Sequence, residues 1–132
     1  MSSKILLDVL LQLRDGSDAA ETSTVNEAGL ALDIRKAGNF KMVFDVSAVD
    51  FGDADETYAL VVDVDSEVAF GDSPVEVGRI SVLATGTLEI PLSADFVESL
   101  DPNAAAIRVG VEIAGTTPSI SYAAYVVPAG HA

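Results

Sequence analysis

The run Phe40-Lys41-Met42-Val43-Phe44-Asp45-Val46-Ser47 decides the fold class. Its even positions are all apolar, while Lys41, Asp45 and Ser47 fall on odd ones. A period of two is the side-chain period of a β-strand, so one face of this segment is dry and the other largely wet. The same alternation recurs in Leu60-Val61-Val62-Asp63-Val64-Asp65, where Asp63, Asp65 and then Glu67 fall opposite Leu60, Val62 and Val64. Leu30, Leu32 and Ile34 alternate with Asp33 and Arg35; Ile80 and Val82 with Arg79 and Ser81; Leu88, Ile90 and Leu92 with Thr87 and Glu89. Ile107, Val109, Val111 and Ile113 alternate with Arg108 and Glu112, and Ile120, Tyr122, Ala124 and Val126 with Ser119 and Ser121. One wet and one dry face per segment is the mark of antiparallel sheet.

Turn chemistry punctuates these segments. Ala37-Gly38-Asn39 leaves a hairpin-sized gap, and Gly71-Asp72-Ser73-Pro74, Asp101-Pro102-Asn103 and Gly115-Thr116-Thr117-Pro118 are loop clusters. Many short strands at near-regular spacing predict an all-β antiparallel sandwich or barrel of at least seven strands. Its core should contain Phe44, Val62, Val64, Ile90, Val109 and Val111. One helical turn is predicted at Ala94 to Leu100, with Ser93 as cap, Asp95 in the first turn and Asp101-Pro102 as the stop.

The beginning of the chain reads differently. Ile5 to Leu13 is apolar, interrupted by Asp8 and Gln12, and is too short to span a bilayer. Lys4, Asp8 and Gln12 recur at helical spacing, yet the run also suits a buried strand or a docked arm; periodicity does not decide between a short helix and an arm. Arg14 to Thr24 is small and polar and reads as a linker. The expected organisation is an N-terminal apolar segment with its polar linker over residues 1–24 and a β-sandwich over 25–132. If Ile5, Leu6, Leu7, Val9, Leu10, Leu11 and Leu13 are not core, they form an interface. Asp8 interrupts a secretory apolar core, so synthesis in the cytoplasm is expected.

Composition narrows the function. The chain has 132 residues, 49% of them apolar, enough for one domain with a real core. Seven Lys and Arg stand against 21 Asp and Glu, a net charge of −14. Nucleic-acid surfaces need clustered Lys and Arg to neutralise phosphate, so no nucleic-acid partner is expected, and by the same reasoning no anionic membrane surface. There is no Cys, which removes disulfides, thiolate metal sites and Cys nucleophiles. His131, the only His, cannot build a triad or a metal centre alone, and no cofactor motif of the Gly-x-Gly-x-x-Gly or Walker kind occurs.

Two acidic groupings remain. Asp50, Asp53, Asp55 and Glu56 lie within seven residues and offer the oxygen ligands that Ca²⁺ takes, although their spacing is not that of an EF-hand. A solvated loop between strands is the plainer reading of the same residues. Asp63, Asp65 and Glu67 share one strand face; two carboxylates about 5 to 9 Å apart can hydrolyse sugars, but the chain has no Trp platform beside them. A solvent-facing charged surface is the expectation for Asp63 and Asp65. Arg35, Lys36 and Lys41 form a small basic group, read as surface salt links.

The order of features resembles a known family. A Leu-rich start (Lys4 to Leu13) leads into a polar stretch, Gly16 to Thr24. A short strand near Leu30–Ile34 follows, then a valine-rich strand ending in acids (Tyr58 to Asp65) and an Ala-Phe loop, Val68 to Asp72. Ile107 to Ile113, a Gly-Thr-Thr turn and a Tyr/Ala/Val strand (Tyr122 to Val127) close the chain. This ordering resembles the small capsid cement, or decoration, proteins of tailed bacteriophages. The resemblance implies a jelly-roll β-sandwich that forms a homotrimer on the outer capsid surface of the virion, bridges subunits of the major capsid protein, and carries no catalytic residues. A calcium-linked or carbohydrate-binding β-sandwich using the Asp50 to Glu56 loop is the alternative; a cupin- or glycosidase-type enzyme is disfavoured by the single His.

Overall fold

A computed structural model describes residues 11–128. The strands in chain order are β1 (Gln12–Arg14), β2 (Val25–Asn26), β3 (Leu30–Ala31), β4 (Asn39–Val49), β5 (Thr57–Asp65), β6 (Val75–Ser81), β7 (Gly86–Ser93), β8 (Ala106–Ala114) and β9 (Ile120–Pro128). Two short helical pieces, α1 (Ile34–Ala37) and α2 (Ala94–Leu100), interrupt them. One sheet runs β1-β9-β4-β7; the other runs β2-β8-β5-β6, with β3 also on β8. All pairings are antiparallel.

The pairings are nested. The innermost is β5 with β6, then β4 with β7, then β2 and β3 with β8, and outermost β1 with β9. A long hairpin wrapped so that successive pairs land in alternate sheets is a jelly roll; here its second strand is split into β2 and β3. The expected all-β antiparallel sandwich is therefore present, and with it the jelly-roll order.

The dry faces meet as the alternation requires. Phe40, Met42, Phe44 and Val46 of β4 and Ile120, Tyr122, Ala124 and Val126 of β9 face Leu60, Val62 and Val64 of β5 and Ile107, Val109 and Val111 of β8, all buried. Each such large side chain contributes roughly 1.5–3 kcal/mol through burial. Of the expected core, only Ile90 is partly exposed, packed against the cluster from β7. The turn at α2 forms as expected: Ser93 Oγ accepts from Phe96 N at 3.2 Å, and Asp101 ends it.

Three expectations are corrected. The strand predicted over Leu30–Ile34 stops at Ala31, because Asp33 Oδ1 accepts from Lys36 N at 3.3 Å and caps a helical turn that buries Ile34. Gly38, at φ +60°, closes that turn, so Ala37-Gly38-Asn39 is not a hairpin: β3 pairs with β8, and β4 with β7 and β9. Leu13 is core rather than interface. A register shift within β1 buries both Leu13 and Arg14 against β9, and Leu11 packs on the same cluster. Residues 12–14 are thus part of the sandwich. Ile5, Leu6, Leu7, Val9, Leu10 and His131 lie outside the described residues.

Candidate functional site

The β1–β2, β4–β5, β6–β7 and β8–β9 connections gather at one end of the sandwich, because antiparallel register places Val49 opposite Ile120 and Thr57 opposite Ala114. The acidic loop 50–56 is one of them. Its first half is held by backbone. Asp50 Oδ1 accepts from Gly52 N at 2.7 Å, and the Asp50 carbonyl accepts from the Tyr58 hydroxyl, which itself accepts from Ser119 N at 3.0 Å. The Phe51 ring stands edge-on to Tyr58, centroids 5.3 Å apart.

The second half turns its carboxylates toward the β8–β9 loop. Asp55 accepts from both the backbone N–H (3.1 Å) and the hydroxyl of Thr116, and these bonds hold its carboxyl below the usual range. Asp53 accepts from the Thr117 hydroxyl. Glu56 Oε1 accepts from Asp53 N at 3.2 Å. Gly115 makes this approach possible: its φ is +121°, and a Cβ there would stand 2.6 Å from Glu56 Cα. A carboxylate oxygen from each of Asp53, Asp55 and Glu56 lies within 4.8 Å of the others. Asp50 is not in this trio; its side chain is spent on the turn.

Asp63 and Asp65 depart from expectation. Val62 and Val64 are buried, so the register is as read, yet Asp65 is only 1% exposed. The 66–73 loop folds over it: Asp65 Oδ1 accepts from Ser66 N (2.8 Å) and Ser73 N (3.1 Å), and Oδ2 from Asp72 N (3.2 Å). Burial alone would raise its pKa, but these three donors and the Arg108 charge together hold it below the usual carboxylate value. Asp63 binds Arg108 at 3.2 Å, and the Arg108 guanidinium lies 4.5 Å above the Phe70 ring. Both carboxylates are committed to holding a loop and a strand. Of the basic group, Arg35 pairs with Glu98 at 3.4 Å and Lys41 with Glu89 at 3.2 Å, while Lys36 makes no ion pair among the described residues.

A buried polar cluster escaped the sequence reading. Arg14, expected in a linker, donates to the carbonyls of Tyr122 and Ala19, the latter at 2.7 Å, and its guanidinium covers the Tyr122 ring at 4.4 Å. Its Nε stands 3.6 Å from Glu21 and 3.7 Å from Glu27, too far for hydrogen bonds. Burial, and then neighbouring Glu21, raise the Glu27 pKa to about 7. Burial likewise pushes the Tyr122 phenol well above its usual range, and its hydroxyl has no partner. The one local signal was an arginine at the end of an apolar run; Ala19, Glu21 and Glu27 follow it closely, but Tyr122, which it covers, is 108 residues away.

No family of known proteins matches the sequence, and no curated protein does. Among solved structures, a mutant of xylanase 10C from Cellvibrio japonicus, in complex with xylopentaose, matches with 15% identity and a TM-score of 0.47. The match covers 89% of this chain and 24% of that one, so this chain corresponds to about a quarter of that protein's length.

Proposed function

We propose that this chain is a structural protein of the tailed-bacteriophage virion: a decoration protein that forms a homotrimer on the outer capsid surface and bridges major capsid subunits. The observation that carries the reading is the nested two-sheet jelly roll, the architecture implied by the resemblance in feature order. The net charge of −14 supports it, because an acidic outer surface stays soluble and repels nucleic acid. So does α2, which leaves Phe96 and Leu100, one helical turn apart, 46% and 45% exposed. The apolar stretch Ile5 to Leu10 supplies further contact area, and three copies multiply modest contacts through avidity. The carbohydrate-binding alternative finds less support. Phe51 and Phe96, the exposed large aromatics among the described residues, belong to opposite ends of the sandwich and cannot form one stacking platform.

The test measures the solution mass of the full chain and its co-sedimentation with expanded, undecorated phage shells. A mass three times the 13.6 kDa protomer and saturable binding are expected. Truncation must stop at residue 10, since removing Leu13 and Arg14 would damage the core. The shortened chain should stay folded and lose trimerisation or shell binding. A monomeric full chain with no affinity for any shell would end this reading.

A further inference from the structure

We propose that Asp53, Asp55 and Glu56 form a calcium site that clips the β4–β5 loop to the β8–β9 loop. Three facts converge. First, one oxygen from each carboxylate falls within 4.8 Å of the others. Two ligands of one Ca²⁺, each at about 2.4 Å, are at most about 4.8 Å apart, so the spacing suits a shared ion. Second, Glu56 is only 5% exposed, and its Oε2 is buried without a hydrogen-bond partner. Oε1 already receives the Asp53 N–H, so the side chain is fixed in place with one oxygen unsatisfied. A buried carboxylate with an oxygen lacking a donor is costly, and a hard cation bound by that carboxylate would offset the cost. Third, among the described residues no Lys or Arg pairs with any of the three. The trio therefore concentrates negative charge that the protein itself does not neutralise.

The remaining geometry fits the ion. Asp53 and Asp55 are exposed, which leaves one side open for water to complete a coordination number of six to eight. Thr116 and Thr117 bond Asp55 and Asp53 from the β8–β9 loop, so an ion held by the carboxylates also fixes that loop. Calcium is favoured over magnesium because Mg²⁺ demands a tighter octahedron and sheds its water reluctantly. This site does not depend on the particle reading; it follows from the loop alone.

The experiment uses the chelator-treated full chain, with calcium chloride as the probe and thermal unfolding and titration calorimetry as readouts. Millimolar calcium should raise the melting temperature by about 3 °C or more, with a saturable heat of binding at one ion per chain. Magnesium chloride at the same concentration should give a clearly smaller shift. Because any divalent ion screens so acidic a chain, Asp45→Asn serves as control: it removes an exposed acid outside the loop and should retain the calcium shift. Glu56→Gln and Asp55→Asn should lose it. Without calcium, Glu56→Gln should be at least as stable as the parent, since it removes an unpaired buried charge. If Glu56→Gln fails to fold, Asp55→Asn, altered at an exposed position, carries the comparison. No calcium shift in the parent, or equal shifts in Asp45→Asn and Asp55→Asn, would overturn the proposal.

Discussion

Replacing Tyr122 with Phe should stabilise this protein, although tyrosine to phenylalanine in a core usually does the reverse. Tyr122 is fully buried in the first half of β9, its ring 6.1 Å from Phe44 and beneath the Arg14 guanidinium. Its hydroxyl has no hydrogen-bond partner. In the unfolded chain water solvates that hydroxyl, and folding strips the water away at a cost of about 1–3 kcal/mol. Tyr122→Phe keeps the ring, the stacking and the core volume. It forfeits the oxygen's few dispersion contacts, each about 0.1–0.2 kcal/mol. The net gain should be about 1 kcal/mol, which raises the melting temperature by roughly 3–5 °C in a domain of this size. Tyr122→Ala removes the ring as well and should cost about 3–5 kcal/mol. Urea unfolding at pH 7, followed by far-UV circular dichroism, measures both, and the Phe variant should show an unchanged slope with a higher midpoint. A Phe variant that is less stable than the parent by about 1 kcal/mol would show that the hydroxyl is satisfied in the folded state, and would refute the reasoning.

Glu27 supplies a pH test. Its folded pKa of about 7 lies above the ordinary carboxylate value, so its contribution to stability is fully present below that ordinary value and is lost as pH rises through 7. Glu27→Gln mimics the protonated side chain; its stability relative to the parent should improve steadily from pH 5 to about pH 8, and a pH-independent difference would contradict the shift. Asp65 has the opposite sign: its lowered pKa means stability present above the ordinary carboxylate range and lost as pH falls through the folded value. Asp65→Asn should speed hydrogen exchange at the amides of Ser66, Asp72 and Ser73 before it affects β5 itself; unchanged protection there would show that the loop is held by something else.

The strands were legible because alternation is a local property. Phe40 to Ser47 and Leu60 to Asp65 carry their register in their own composition, and Val46, Val62 and Val64 lie where that register puts them, although Val43 and Val61 on the opposite face are buried as well. Helix α2 was legible for the same reason: its cap at Ser93, first-turn acid and stop at Asp101 are adjacent in sequence. The misreadings arise where a loop fold or a strand pairing that alternation does not encode decides burial. Asp65 looks solvent-facing until the 66–73 loop folds over it. Arg14 looks like linker until β9 pairs alongside and offers the Tyr122 carbonyl. At Asp33 two local rules competed, and capping prevailed over alternation. The acidic loop announced itself by density alone. Which of its four carboxylates converge depends on the Gly115 turn, brought beside it only by the sheet pairing.

The nesting of strand pairs also sets an order in time. The β5–β6 hairpin closes across a short loop and can form early, whereas Gln12 must find Tyr125 across nearly the whole chain. Chain-closure entropy grows only slowly with loop length, but each outer pair gains its contacts only after the inner ones have aligned the sheets. Such a topology assembles like a zipper from its innermost turn and, being dominated by distant contacts, belongs to the millisecond-to-second regime of folding rates rather than the microsecond one. Until β1 docks, β9 presents an open strand edge with Arg14 and its acidic neighbours not yet in place. The interval before that last closure is when the nascent protein is most exposed to pairing with another copy of itself.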